Sequence, residues 1–459
     1  MYQVDFSRKQ HLHFIGIGGI SMSGLAEILL GEGFQISGSD SSVSPLTRKL
    51  EQKGAVIFIG QSAENITEGI DCVVYSAAIR PDNPELVAAQ EASIPTLTRA
   101  ELLGQIMKNY ETPIAVAGTH GKTTTTSMVS HILMEAGCDP TITVGGILPA
   151  IDGNIRVGRS GTFVTEACEY TNSFLSFFPK IEIILNVDAD HLDFFKDLDD
   201  IASSFHRFAL LLDEGGTLIL NRDTARFEEV SEGLSCELIT YSLEQDADYT
   251  ASDICFDERG HGSFTCLERG EELGRFTLRV PGIHNVSNAL SAIALGRKLG
   301  LTPSCIASGL LSFSGTERRF QHKGKLGGAE IIDDYAHHPS EIRATIKAAR
   351  QCPHKRLIIA FQPHTYTRTK ALLAEFADAL SAADRVVLAD IYAAREKNTI
   401  GISSRDLMTE IRKRGTAVDY FPSFAEIEDL LRSELKEGDL LITMGAGNIV
   451  DIGEDLLRS

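Results

Sequence analysis

The sequence predicts an α/β protein of three domains, and three observations lead there. At 459 residues the chain is too long for one core, and the usual domain size gives about three domains. Short β-rich apolar runs alternate with helix-like segments almost throughout, as in parallel sheets covered by helices. Two glycine-rich turns, in "HFIGIGGISMSG" and "AVAGTHGKTTTT", each follow a strand pattern and open a helix pattern.

The first unit begins with a strand in "HLHFIGIGG" and a helix in "SMSGLAEILLGEGF", closed by Gly31 or Gly33. "FQISGSD", "AVIFIG" and "DCVVYSAAI" read as further strands, which makes this unit Rossmann-like. Thr112-Pro113 breaks the preceding helix, so the first domain is expected over residues 1–110. The second unit, 111–317, carries strands at "IAVAG", "GTFVTEA", "IEIILNVDADH" and "GTLILN". Within it, "GSFTCLERGEELGRFTLRV" reads as a hairpin around a polar glycine turn. The central domain is therefore expected to hold a mainly parallel sheet plus a small antiparallel accessory sheet. A helix from about Asn285 to Leu299 follows, and "SGTERRFQHKG" reads as a charged hinge near residue 318. The third unit, 318–459, has strands at "RLIIAFQPH", "RVVLADIYAA" and "DLLITMGAG" and reads as a second Rossmann-like α/β domain.

Composition narrows the function classes. The hydrophobic fraction of 43% and charged fraction of 23% suit a globular, soluble chain. No stretch approaches the roughly 18 uninterrupted apolar residues of a membrane span, and the polar N-terminus has no signal-peptide pattern. Eight scattered cysteines without a Cys-x-x-Cys pair fit reduced thiols in the cytosol. A net charge of −20 argues against a nucleic-acid partner. Anionic small molecules stay possible, because local lysines, backbone amides and a divalent metal can hold them. A monomer or homodimer is expected, without membrane insertion.

The second glycine turn carries the most chemistry. Gly121, Lys122 and Thr123 supply the back half of a nucleoside-triphosphate loop, while Val116 stands where its first glycine would be. Gly118 and Gly121 let backbone N–H groups turn toward an anion at a helix N-terminus. Lys122 can reach the terminal phosphates, and the Thr123 hydroxyl can bind Mg²⁺. The first turn matches a dinucleotide fingerprint at Gly16 and Gly18, but Ser21 replaces the third glycine. Asp40 follows the next strand, where an acid would meet a ribose hydroxyl. That motif alone admits a nucleotide, a nucleotide-sugar or NAD.

Glu166 in "TEACEY" and His191 in "NVDADHLD" are placed at strand ends beside the phosphate loop. Mg²⁺ prefers oxygen, so a histidine suits a second, softer site, and a plain loop histidine is the alternative. Asp188, Asp190 and Asp193 crowd around His191, which favours bound cations. Asn285 and Asn288 share a face of a starting helix and suit an adenine or ribose contact; helix capping by Asn285 is the alternative. In the third unit "DDYAHHPSE" and "FQPHTYTRT" bring Asp334, Tyr335, His337, His338, His364 and Arg368 to strand ends, and Arg368 suits a carboxylate clamp.

Together these motifs closely resemble the Mur ligases, which build the peptide stem of bacterial peptidoglycan. "GTHGKTT" is similar to the family's ATP loop, "EACEY" to its metal-binding acidic motif and "HNVSNA" to its nucleotide motif. "GIGGISMSGLA", "DDYAHHP" and "QPHTYTRT" point to the branch that adds L-alanine to UDP-N-acetylmuramate. The resemblance runs over essentially the whole chain and implies ATP as co-substrate and Mg²⁺. It implies ATP contacts at Gly118, Thr119, His120, Gly121, Lys122, Thr123, Thr124, Asn285 and Asn288, with Arg318 or Arg319 reaching across from the hinge. Thr123 and Glu166 would hold Mg²⁺, and His191 a second metal ion. Gly16, Gly18, Gly19, Ser21 and Asp40 would contact the UDP portion, and Tyr335, His337, His364 and Arg368 the amino acid. The implied reaction makes an acyl phosphate on the lactyl carboxylate, which the alanine amine attacks, with His337 as base. "SSFHRFAL" lacks the carbamylated lysine of relatives acting later, which favours the alanine-adding branch. Thr365 stands where some alanine-adding members have arginine. A ligase that attaches a preformed tripeptide to the same nucleotide-sugar is the near alternative.

Overall fold

The computed structural model describes residues 2–76, 78–191, 194–394 and 396–458. Three sheets follow one another along the chain. The first has five strands, all parallel, in the order Val56–Ile59, Gln35–Asp40, His11–Ile15, Cys72–Tyr75, Thr96–Thr98. Strand order reverses beside His11–Ile15, so the crevice at its C-terminal end is the switch point where open α/β sheets take ligands. The glycine turn of residues 16–19 sits there.

The second sheet has ten strands. Its parallel core runs Thr141–Leu148, Thr162–Ala167, Thr112–Ala117, Ile181–Ile184, Thr217–Asn221, Glu237–Ser242. The accessory strands continue this sheet rather than forming a separate layer. Tyr249–Phe256 pairs parallel with Glu237–Ser242, and His261–Glu268 and Glu271–Pro281 add on antiparallel. The hairpin turns at Arg269 (φ 53°) and Gly270 (φ 84°), the left-handed pair that matches strand twist. At the opposite edge Gly153–Arg156 pairs antiparallel with Thr141–Leu148.

The third sheet has the order Gln321–Leu326, Ala329–Asp334, Asp439–Met444, Arg356–Phe361, Arg385–Leu388, Ala417–Tyr420, parallel except for the first strand. That first strand occupies the second half of the segment expected to be a charged hinge. Its charges mark a solvent-facing sheet edge, where lysines discourage pairing with other chains.

Helix starts obey their local signals. Thr98 and Glu101 form a reciprocal capping box before Arg99–Met107, and Ser44 and Thr47 one before Pro45–Gln52. Asp197 accepts from Asp200 N ahead of Leu198–Ala209, whose first turn is acidic and last turn basic. Strands of the second sheet such as Ile114–Ala117 and Ile183–Leu185 are almost fully buried on both faces, as parallel strands between helices should be. Among the described residues no helix is long and apolar enough to cross a membrane.

Candidate active site

The strand Thr112–Ala117 runs into the loop 118–121, and the helix Lys122–Glu135 begins directly behind it. Gly118 (φ 139°) and Gly121 (φ 85°) both occupy left-handed backbone. A Cβ on Gly118 would lie 2.9 Å from Leu185 Cβ, and one on Gly121 2.9 Å from Asn288 Oδ1. Asn186 sets the loop's shape from the neighbouring strand end. Its Oδ1 accepts from His120 N at 2.8 Å, its Nδ2 donates to His120 O at 3.0 Å, and its carbonyl accepts from Thr119 N at 3.1 Å. The first-turn amides of the following helix have no intrahelical acceptors and face the loop's mouth.

Lys122 is folded back over this loop. Its ammonium donates to Gly118 O, to Thr119 O at 3.0 Å and to Glu169 Oε2 at 3.0 Å. Burial works against that charge, but Glu169 outweighs it and raises the lysine's pKa. Beside it Thr123 Oγ1 donates to Glu166 Oε2 at 3.2 Å, and Gly145 N donates to Glu166 Oε1. Burial pushes the Glu166 carboxyl up, against the Gly145 N–H, Arg319 and Lys122. A half-buried carboxylate and a hydroxyl side by side form an all-oxygen pair of the type Mg²⁺ selects.

His191 (φ 53°) is held in left-handed backbone, its Nε2 3.9 Å from both Glu169 Oε1 and Asp190 Oδ2. The acids expected to attract metal there are met by protein cations instead. Asp190 faces Arg368 Nη2 at 3.4 Å, and Asp188 lies 3.6 Å from His120 Nε2. Burial opposes the Asp190 charge, yet His191 and Arg368 hold its pKa down at about 2. Asp193 lies outside the described residues. Among the described residues no cluster of three or more His, Cys, Asp or Glu could hold a metal ion.

A cavity of about 300 Å³ opens between the phosphate loop and the third sheet, lined among others by His120, Thr124, Asn285, Asn288 and Arg319. Asn285 is not a helix cap: Gly282 holds that position, and Asn285 Nδ2 donates to Pro281 O at 2.7 Å. Asn288 Nδ2 donates to Asn285 Oδ1 at 3.1 Å, so the two amides act as a unit at the cavity wall.

The two hinge arginines part company. Arg319 lines the cavity, 3.9 Å from Glu341 Oε1. Arg318 turns into the third domain, donating to Asp333 Oδ2 at 3.0 Å, Gly447 O at 3.0 Å and Gly445 O at 2.7 Å. These contacts correct the expectation that either arginine could reach across. Arg318 closes the sheet end beneath Tyr335, over whose ring its guanidinium sits at 4.9 Å.

Tyr335, His337 and His364 come together, with His337 in edge contact with Tyr335 at 5.4 Å and with His364 at 5.8 Å. His337 Nδ1 lies 3.0 Å from Tyr335 O, which can only accept, so Nδ1 bears the proton and Nε2 the lone pair. Burial lowers the His337 pKa against the pull of Glu341. Arg368, expected to clamp a carboxylate, faces Asp190 of the central domain at 3.4 Å. Thr365 begins that loop at φ 66°, a strained conformation for a β-branched residue.

In the first domain Gly16 N donates to Ser39 O at 2.8 Å, and Gly18 N donates to Asp40 Oδ2 at 2.9 Å. Asp40 therefore holds the glycine turn with one oxygen. A Cβ on Gly18 would lie 2.8 Å from that same atom. Gly19 caps the helix Ile20–Gly31, and Ser21 lies exposed in its first turn.

Three residues of this site were not singled out from sequence: Glu169, Asn186 and Glu341. Each sits inside a motif already quoted, so their motifs were visible, but their contacts lie across strand ends or between domains.

Comparison with known proteins follows the same division. The Mur ligase family, catalytic domain, matches residues 11–111; the Mur ligase middle domain matches 116–296; the Mur ligase, glutamate ligase domain, matches 318–447. The chain is 60% identical over 458 residues to a UDP-N-acetylmuramate–L-alanine ligase of Agathobacter rectalis, covering 100% of both. It is 58% identical to one of Lachnospira eligens, again covering 100% of both. Among solved structures, the UDP-N-acetylmuramate-alanine ligase of Thermotoga maritima aligns with TM-score 0.81 at 29% identity, covering 98% of each chain.

Proposed function

The chain belongs to the Mur ligase family, and from that premise we infer an ATP-dependent ligase that joins L-alanine to UDP-N-acetylmuramate in peptidoglycan synthesis. The observation that carries the reading is convergence across one cavity. His120, Gly121 and Thr124 of the phosphate loop, Asn285 and Asn288 of the central domain, and Arg319, Ser340 and Glu341 of the third domain all line it. In this reading residues 1–110 bind the nucleotide-sugar, 111–317 bind ATP and 318–459 bind alanine. The eight free cysteines suit a cytoplasmic location.

The lactyl carboxylate attacks the γ-phosphate of ATP to form an acyl phosphate and ADP. The alanine amine then attacks the activated carbonyl and expels inorganic phosphate. Loop amides and the Lys122 ammonium, released from Gly118 O and Thr119 O, stabilise the charge gathering on the transferred phosphoryl group. Thr123 and Glu166 would hold Mg²⁺, which when bound supplies charge neutralisation at the phosphates. His191 would be the residue that meets a second ion. Asn285 and Asn288 provide the amide wall against which the nucleoside packs, and Arg319 reaches ATP from the hinge. Gly16, Gly18, Gly19, Ser21 and Asp40 form the UDP subsite.

His337 Nε2 accepts a proton from the alanine ammonium, and its lowered pKa keeps it neutral for that task. Arg368 exchanges Asp190 for the alanine carboxylate, with Tyr335 and His364 shaping the pocket. The third domain excludes water from the acyl phosphate. The test is phosphate release from ATP with the muramate nucleotide and L-alanine omitted in turn. Release should require both, and a preference for a preformed tripeptide over L-alanine would overturn the assignment.

A further inference from the structure

The N-terminal turn of the helix Ile20–Gly31 lies in the crease between the first and second sheets. Asn154 Nδ2, from the second sheet's edge strand, donates to Ile20 O at 3.1 Å, while Gly19, Ile20 and Ser21 remain exposed. No side chain caps this turn. Arg99 opens the helix Arg99–Met107 and donates from Nη1 to Ser21 Oγ at 3.0 Å. That helix packs tightly on the segment Tyr170–Ser176: a Cβ on Gly104 would lie 1.9 Å from Ser176 O. Arg99 is thus pinned where the nucleotide-sugar turn meets the segment that follows Glu166 and Glu169.

Its electrostatic setting differs from that of three arginines near the phosphate loop and the third domain. Arg318, Arg319 and Arg368 each face a carboxylate. Among the described residues no carboxylate lies within 4.0 Å of the Arg99 guanidinium, although the chain carries a net charge of −20. Burial works against the Arg99 charge and lowers its pKa, and the one ionisable neighbour that offsets this is the Cys168 thiol. Lys122 and Arg99 both act on that thiol electrostatically, against the burial that raises its pKa. A half-buried guanidinium without an acid partner is poorly compensated until an anion arrives. Its planar fork suits phosphate and carboxylate oxygens in pairs.

The geometry points to Arg99 as an anion clamp for the nucleotide-sugar, holding its diphosphate or its lactyl carboxylate in the crease between the first domain and the phosphate loop. This rests on the functional reading above, because the clamp needs a substrate that carries both groups. A diphosphate held there would share the exposed helix turn at Gly19–Ser21. A lactyl carboxylate held there would be aimed between Arg99 and Lys122, toward the γ-phosphate.

Calorimetric titration of the full chain with UDP-N-acetylmuramate and with UDP-N-acetylglucosamine, which lacks the lactyl group, separates the two. Arg99→Ala should weaken UDP-N-acetylmuramate binding about tenfold to a hundredfold, the range of a lost charge-assisted hydrogen bond. An equal loss for both sugars assigns the diphosphate; a loss confined to the muramate nucleotide assigns the lactyl carboxylate. Affinity for a non-hydrolysable ATP analogue should not change, which guards against a folding defect. Arg99→Gln keeps most of the side chain's length and its hydrogen-bonding amide and should show the same loss. If the unaltered chain binds no UDP-N-acetylmuramate, the functional reading fails. If it binds and both variants bind both sugars equally well, the Arg99 assignment alone is overturned.

Discussion

Glu341 of the third domain places Oε1 3.5 Å from Nδ1 of His120 in the phosphate loop. The same carboxylate accepts from His337 N at 3.0 Å and His338 N at 3.3 Å. Ser340 Oγ adds a contact to His120 Nε2 at 2.6 Å, and the His120 and His338 rings stack at 5.3 Å. One helix start of the third domain is therefore tied to the loop 118–121.

That tie has a pH window. Burial opposes the His120 charge, but Glu341 outweighs it and raises the His120 pKa. The contribution is complete below the ordinary histidine value of about 6.5 and is lost as pH rises through the raised value. Burial also opposes the Glu341 charge, yet His337 and His120 hold its pKa well below the ordinary range. Its contribution is present above about pH 4.3 and is lost as pH falls through the depressed value. Energy transfer between dyes on the second and third domains should report a closed arrangement near pH 6 and a looser one at pH 9. Glu341→Gln should loosen it at both values, and an unchanged distance at both would sink the tie.

Lys122→Ala should abolish ligation while sparing UDP-N-acetylmuramate binding. It should also lower Tm, because Glu169 has a side chain only 2% exposed and loses its cation. Breaking such a buried pair costs about 3–5 kcal/mol. The double variant Lys122→Ala/Glu169→Gln should regain much of the Tm and none of the activity. Full turnover by either variant would refute the role of Lys122.

Gly18→Ala should act on one substrate only. The added methyl meets Asp40 Oδ2 at 2.8 Å and Thr47 Cγ2 at 2.9 Å, so the turn must shift. Affinity for the muramate nucleotide should fall by about tenfold, equivalent to ~1.4 kcal/mol, with ATP-analogue affinity unchanged. Parallel titrations with the two ligands check this.

His337→Gln should slow ligation by about a hundredfold or more, in the range of a lost general base. The acid limb of the rate profile in the unaltered chain should lie below the ordinary histidine range, because burial lowers that pKa. Rate measurements from pH 5 to pH 9 on both proteins test it; an acid limb that survives unchanged in the variant would assign the base elsewhere.

Glu182 gives a stability prediction remote from the site. It is fully buried in the strand Ile181–Ile184, and among the described residues neither carboxyl oxygen has a hydrogen-bond partner. Burial raises its pKa well above the ordinary value. The folded chain thus keeps a proton that the unfolded chain releases, and stability falls as pH rises above about 4.3. Glu182→Leu should raise Tm, more at pH 8 than at pH 5, by scanning calorimetry. An equal or negative change at pH 8 would contradict it.

The α/β pattern and the phosphate loop were legible in sequence because both are local. Apolar runs of strand length, Gly118, Gly121 and Lys122-Thr123 declare themselves within a few residues. The strand Gln321–Leu326 was not, since its charged face looks like a hinge until Ala329–Asp334 pairs with it. Nor was the choice between Arg318 and Arg319, adjacent residues of one type whose directions are set by Asp333 on one side and Glu341 on the other.

By itself the sequence determined the alternation of strand and helix, the glycine positions that need left-handed backbone, and the kinds of group the site can use. Those follow from steric limits and hydrogen bonding within one turn or one strand. Only the tertiary structure decided which group meets which: Lys122 with Glu169, Asp190 with Arg368, His120 with Glu341, and Arg99 with the Ser21 hydroxyl. Electrostatic energy depends on distance through space and on burial, and neither can be counted along the chain.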